Sequence, residues 1–149
     1  MTNHVRPSKK EYYLNIAKAV SQRSNCLKRR YGAIIVKDDE IIATGYNGSP
    51  RGCKNCCDTY EICPRYDKPH NSGNYNDCQS VHAEQNAMLS ASRKDMLNAT
   101  MYLAGFDASY QTDPNTRQTT ITWTPIDQPV PCPVCMRMIQ NAGITDIIS

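Results

Sequence analysis

The sequence predicts an α/β layered fold, and three patterns carry the prediction. Tyr13, Ile16, Ala17 and Val20 recur at the spacing of one helical face. Two short apolar runs, Ala33-Ile34-Ile35-Val36 and Ile41-Ile42-Ala43-Thr44-Gly45-Tyr46, are separated only by a polar turn. In the second half, helical and extended patterns alternate, as layered α/β folds require. The element order reads α-β-β-α-β-α-β.

Taken in order, Ser8-Lys9-Lys10-Glu11 is a capping box, so a helix is expected from about residue 9 to 25. Lys37-Asp38-Asp39-Glu40 turns the two apolar runs into an antiparallel hairpin. From 47 to 77 periodicity gives way to a Cys-rich loop, and a loop of this length inside a small domain needs a clamp. Ala83, Ala87, Met88 and Ala91 mark a second helix over about 81–93. Met101-Tyr102-Leu103-Ala104 is a third strand. Residues 105–130 read as a long polar loop inserted before the next helix. That helix starts near Cys132, runs through Met138 and Ile139, and ends at Gly143, a C-terminal cap. Residues 144–148 supply the last strand.

The bulk numbers narrow the class. At 149 residues without an internal repeat, one domain spanning 1–149 is expected. A net charge of +3 is too weak for a typical nucleic-acid surface. No run reaches the roughly 20 apolar residues of a membrane helix. The stretch Met1 to Pro7 lacks the apolar core of a leader. A cytoplasmic protein with no membrane partner is expected. Eight cysteines are many for a compartment that keeps thiols reduced, and metal ligation is the leading reason to keep them. The basic run Lys28-Arg29-Arg30 has two readings, a solvated helix end or contact with a phosphate-bearing ligand.

Two motifs carry chemistry. Cys132 and Cys135, in Pro131-Cys132-Pro133-Val134-Cys135, are three apart at a predicted helix start and so share a face. The positive end of the helix dipole favours their thiolates. His82, in His82-Ala83-Glu84, stands at another predicted helix start. One imidazole and two thiolates leave the fourth position of a tetrahedral zinc open, as in catalytic sites. On an ideal helix Glu84 lies about 200° around the axis from His82, so it suits a proton-carrying role better than ligation. Alone, each motif is weak; C-x-x-C also marks redox pairs and structural knuckles. Together, H-x-E followed by P-C-x-x-C is the signature of zinc deaminases.

The run Thr44-Gly45-Tyr46-Asn47-Gly48-Ser49-Pro50-Arg51-Gly52, with His82-Ala83-Glu84-Gln85-Asn86-Ala87, Pro131-Cys132-Pro133-Val134-Cys135, the Asn55-Cys56-Cys57-Asp58 run and Cys26, resembles the deoxycytidylate (dCMP) deaminases. The resemblance spans about residues 9–148. It implies a three-layer α-β-α sandwich of the cytidine deaminase type, with a central mixed sheet. It implies hydrolysis of dCMP to dUMP and ammonia, feeding thymidylate synthesis. In that scheme His82, Cys132 and Cys135 hold the catalytic zinc. Glu84 shuttles the proton from zinc-bound water to ring N3, and then helps the amine leave C4. Asn47 is at the family position that contacts the sugar. The family is typically homohexameric, with dCTP and dTTP as effectors and Mg²⁺ on the effector phosphates. The 105–130 insertion departs from the family pattern.

Some members of the family hold a second, structural zinc, which implies Cys26, Cys56, Cys63 and Cys78 as its ligands here. His70 is an alternative ligand, Cys57 an alternative to Cys56, and free thiols the plainer reading. Ser49 and Arg51 join Asn47 as candidate substrate-binding residues. Arg51 is either a bidentate donor to the 5′-phosphate or an ordinary exposed arginine. Against the dCMP reading stands a nucleic-acid deaminase acting on tRNA adenosine or cytidine through the same zinc site. The modest charge disfavours it, because strand binding needs many phosphate contacts.

Overall fold

A computed structural model describes residues 5–149. Residues 1–4, which belong to the stretch read above for a leader, lie outside the described residues. The first helix, α1 (Lys9–Ser21), opens on the expected capping box: the Glu11 amide donates to Ser8 Oγ at 3.2 Å and the Ser8 amide to Glu11 Oε2 at 3.0 Å. It stops short of residue 25. Ser24 turns its hydroxyl to the backbone and side-chain oxygens of Asn47, a competing use of a short polar side chain that ends helices.

Strands β1 (Arg29–Lys37) and β2 (Glu40–Tyr46) form the expected antiparallel hairpin. Its turn residues Asp38 and Asp39 have φ of 52° and 62°, the left-handed pair that matches strand twist. Tyr13 donates to Asp39 Oδ1 at 2.5 Å, and Lys9 pairs with the same carboxylate at 3.0 Å, fastening the turn to α1. The Lys28-Arg29-Arg30 run is not a helix end: Arg29 and Arg30 open β1.

The 47–77 segment is mostly irregular, holding one turn of helix, α2 (Cys56–Thr59), and a 3₁₀ turn at Tyr75–Asp77. The single helix expected over 81–93 is two pieces, α3 (Ala83–Leu89) and α4 (Arg93–Met96). Ser92 starts the second piece by accepting the Asp95 amide at 3.1 Å, a local cap that outcompetes continuation.

Residues 105–130 are not the loop that polarity suggested. Strand β3 (Thr100–Thr112) runs far past residue 104 and returns antiparallel as β4 (Thr119–Pro125). The β4 sequence alternates threonine with Ile121 and Trp123, which suits a half-exposed pleat. Asp113 Oδ1 closes the turn by accepting the amides of Asn115 at 2.7 Å and Thr116 at 3.2 Å. Two anchors hold this hairpin to the body. The Arg30 guanidinium lies 4.0 Å from the Trp123 ring centre. The Tyr110 hydroxyl donates to Leu27 O, while its ring meets Tyr66 edge-on with centroids 4.9 Å apart. The chain closes with α5 (Pro133–Ala142) and β5 (Asp146–Ile148). Gly143, at φ 87°, caps α5 as expected.

The sheet order is β2-β1-β3-β4, with β5 beside the start of β3. The β3–β5 pair is parallel and the others antiparallel, so the sheet is mixed. Each face has its own core. Ala33, Ile35, Met101 and Leu103 pack under α3 and α5 with Ala87 and Ile139. Ile34, Val36, Tyr102 and Ala104 pack against Tyr13 and Ala17 of α1. Burial on both faces is why the β1 core reads as an unbroken apolar run. This is the three-layer α-β-α sandwich. Among the described residues, no helix is long and apolar enough to cross a membrane.

Candidate active site

Three segments meet at one point because the sheet fixes them side by side. Gly45 has no room for a Cβ, which would come within 2.3 Å of Ala87 N and 2.4 Å of Ala83 O, so β2 and α3 approach closely. Asn86 Nδ2 adds a bond to Tyr46 O at 2.8 Å. Gly48 and Val81 then exchange backbone bonds of 3.1 and 2.7 Å, bringing the Tyr46-Asn47-Gly48 turn to the residues before His82.

His82 and Cys132 are the N-caps of α3 and α5. The His82 amide donates to Gln85 Oε1 at 2.9 Å, and the Cys135 amide to Cys132 Sγ at 3.4 Å. These bonds satisfy first-turn donors and orient the ligand atoms. His82 Nδ1 lies 3.4 Å from Cys132 Sγ and 3.3 Å from Cys135 Sγ. Among the described residues, this is the group whose candidate ligand atoms all lie within 4.8 Å of one another.

The set fits a zinc ion. Tetrahedral bonds to one nitrogen and two sulfurs put nitrogen and sulfur roughly 3.6 Å apart. Without a cation such a cluster is costly: burial first, then the neighbouring Glu84 and Cys132, push the Cys135 thiol well up from its ordinary value. A divalent ion inverts that preference and deprotonates the thiols.

Glu84 is 5% exposed, next to this cluster. Burial pushes its carboxyl up, with the nearby His82 opposing. His82, Cys132 and Glu84 line a cavity of about 340 Å³. Its other walls come from β1 and the 47–77 segment, including Arg29, Tyr31, Asn47, Arg65 and His70. Asn47 is buried; its Oδ1 accepts from Tyr31 N and Ser24 Oγ, both at 2.8 Å, and its Nδ2 donates to Arg29 O at 2.9 Å. One Nδ2 hydrogen remains for a ligand.

Ser49 and Arg51 do not join this cavity. They line a separate hollow between β2 and α3, with Arg51 exposed. Past the Gly48–Val81 bridge, the chain emerges beside β2 and α3, not on the cavity side where Asn47 lies.

The proposed second ligand set is partly assembled. The Cys26 and Cys56 thiols are pushed up by burial and also by the sulfurs of Cys63 and Cys78. Amides of Lys28 and Arg65 point at Cys26 Sγ and Cys63 Sγ at 3.5 and 3.4 Å. Cys56 faces inward, 4.0 Å from Ser49 Oγ, whereas Cys57 is exposed. The four sulfurs do not reach the closeness of the His82 group. His70 instead lines the cavity beside Tyr31, with ring centroids 6.3 Å apart. The sequence reading missed Tyr31 as a cavity residue, since no motif surrounds it.

Comparison with known proteins agrees with this geometry. The family described as the cytidine and deoxycytidylate deaminase zinc-binding region matches residues 7–149. The deoxycytidylate deaminase of Mycobacterium phage D29 is 34% identical over 150 residues, covering 96% of this chain and 94% of the relative. That of Schizosaccharomyces pombe is 43% identical over 97 residues, covering 64% of this chain. The chain spans 30% of the length of that fission-yeast relative and 31% of the Saccharomyces cerevisiae one. Among solved structures, the dCMP deaminase of cyanophage S-TIM5, in complex with dCMP and dUMP, superposes with a TM-score of 0.62 at 29% identity, over 97% of this chain and 82% of that one. Sequence, sheet order and ligand cluster therefore agree, and the chain belongs to the cytidine and deoxycytidylate deaminase family.

Proposed function

We propose that this protein hydrolyses dCMP to dUMP and ammonia, with His82, Cys132 and Cys135 holding zinc and Glu84 carrying the proton. The observation behind the reading is that one imidazole and two thiols converge beside a buried carboxylate on a cavity wall. Zinc, when bound, supplies the Lewis acidity that activates water near neutral pH. Glu84 takes the proton the water loses, gives it to ring N3, and assists the amine as it departs from C4. Its burial supports this, because a carboxyl with raised proton affinity can both accept and return a proton. Asn47 offers its remaining amide hydrogen to the sugar.

Likeness to proteins named deoxycytidylate deaminases supports dCMP as substrate. On this reading the product dUMP feeds thymidylate synthesis. The reading extends, as the sequence resemblance implies, to a cytoplasmic homohexamer with dCTP and dTTP as effectors and Mg²⁺ on their phosphates. A structural zinc on Cys26, Cys56, Cys63 and Cys78 would clamp the irregular segment that walls the cavity. The test is ammonia release from dCMP, dCTP, deoxycytidine and a tRNA stem-loop. Turnover of dCMP that disappears in Glu84→Gln is expected; turnover of the stem-loop in preference to dCMP would replace this reading with a nucleic-acid deaminase.

A further inference from the structure

We infer that β4 is an intermolecular edge: two copies of this chain pair β4 with β4, antiparallel about a two-fold axis at Thr122, and so join their sheets into one. The pairing stands apart from the deaminase chemistry and gives the inserted hairpin a use of its own.

The register of the hairpin decides which backbone groups face outwards. The Ile126 amide donates to Gly105 O at 2.8 Å and the Asp113 amide to Gln118 O at 2.9 Å. Between these bonds the β3–β4 register is unbroken, with Ala108 opposite Trp123 and Tyr110 opposite Ile121. Bonded and unbonded positions alternate along an antiparallel strand. Thr120, Thr122 and Thr124 therefore turn their amides and carbonyls to β3. Thr119, Ile121 and Trp123 turn theirs outwards, together with the carbonyl of Pro125. β4 ends the sheet on this side, and among the described residues no strand pairs with that outer row. Pro125, which has no amide to offer, stands at an outward position, where an edge strand tolerates proline.

β4 also lacks the usual guards. Sheet edges are commonly protected by charge, by bulges or by short length. The opposite edge, β2, opens on Glu40, and its register with β1 breaks beside Ile35 and Val36. β4 has seven residues, an even register and no charged side chain from Gln118 to Ile126. Threonine, isoleucine and tryptophan fill it up to Pro125, and these types favour pairing. The β1–β3 pairing stops at Arg29 opposite Asp107, so beyond that point the hairpin is a two-stranded ribbon. Such ribbons gain stability from further strands.

The strand fits itself. With Thr122 opposite Thr122 of the second copy, Ile121 meets Trp123 twice and Thr119 meets Pro125 twice. All of these positions face outwards in both copies, so every outward amide finds a carbonyl and the missing amide of Pro125 is not needed. Ile121 and Trp123 share one face of the strand; Ile121 is 38% exposed there, and the Trp123 ring already carries Arg30. Aromatic beside β-branched, and threonine beside threonine, are favourable cross-strand pairs. No like charges meet across the axis. A contact of this kind uses the same patch on both copies and closes on itself.

A disulfide at the axis tests the pairing. There Thr122 forms an unbonded pair with a Cα separation of about 4.5 Å, within disulfide reach. Full-length Thr122→Cys is oxidised mildly and run on a non-reducing gel beside wild type, whose exposed Cys53 and Cys57 set the background. A cross-linked dimer well above that background is expected. Thr120→Cys is expected to stay at background, because its counterpart lies four residues along the paired strand, about 14 Å away. Both threonines are exposed, so neither change disturbs the core. Ile121→Lys added to Thr122→Cys is expected to abolish the disulfide, with circular dichroism showing the fold intact. Sedimentation of wild type is expected to give an even number of chains. A missing disulfide at position 122, one formed as readily at position 120, one that survives Ile121→Lys, or a monomeric wild type overturns the pairing.

Discussion

His82 Nδ1 sits 3.3 Å from the sulfur of Cys135, although the two residues are 53 positions apart in the chain. Neither side chain gains from that approach without a cation, because a buried thiol is an inferior partner for an imidazole. Cys135→Ser is therefore expected to purify with little zinc. Glu84→Gln is expected to keep its zinc and lose about 10²- to 10⁴-fold in kcat, the usual share of general acid–base catalysis. Elemental analysis beside dCMP turnover separates the two defects. A zinc-free but fully active Cys135→Ser would dismantle the site.

The thiols of the irregular segment give a stoichiometric prediction. Wild-type protein is expected to hold two zinc ions per chain, and Cys26→Ser one. One zinc per fully active wild-type chain would leave Cys26, Cys56, Cys63 and Cys78 as free thiols.

Tyr13 and Asp39 tie stability to pH at both ends of the scale. The bond to Asp39, followed by burial, raises the phenol from 10.0 to about 12. A raised folded value contributes stability that is complete below pH 10 and fades as pH climbs towards 12. The same bond, then Lys9, holds the Asp39 carboxyl below its ordinary value, so that contribution is present above the ordinary range and fades in acid. Tyr13→Phe should flatten both limbs of a urea-stability profile against pH. An unchanged profile would mean that the 2.5 Å bond does not persist in solution.

Gly45 supports the site from a distance. A methyl group there collides with backbone atoms of α3, which cannot yield as a side-chain tip can. Gly45→Ala is expected to cost about 1–3 kcal/mol, as overpacking typically does. It should also lower zinc affinity, because α3 carries His82 at its start. Denaturant melts and metal titration test this together; a stable variant with normal zinc affinity would refute the coupling.

Much of the fold was legible where local chemistry and tertiary demand coincide. Ser8 and Glu11 wrote the start of α1, Gly143 the end of α5, and the unbroken apolar run from Ala33 to Val36 the buried strand β1. The His82, Cys132 and Cys135 site was legible because a metal demands particular atoms at particular spacings. The β3–β4 hairpin was not, because threonine-rich strands with one exposed face resemble polar loops until pairing is known. The split of the second helix hid behind Ala91, whose apolar spacing ignored the capping power of Ser92. That Arg51 lies outside the cavity was not legible, since a motif fixes a residue's neighbours in sequence, not the side of the bridge at Gly48 on which it emerges.

The β3–β4 hairpin has a consequence for the order in which the protein assembles. Thr112 and Thr119 meet across only seven positions, whereas the Tyr110 hydroxyl finds Leu27 across 83. Logarithmic loop-closure entropy makes the longer closure about 2 kcal/mol harder to nucleate. The hairpin can zip by itself on the microsecond scale typical of such elements. The hairpin is therefore expected to pair before Tyr110 meets Leu27 and Tyr66, the contacts that fasten the inserted segment to the long-range half of the molecule.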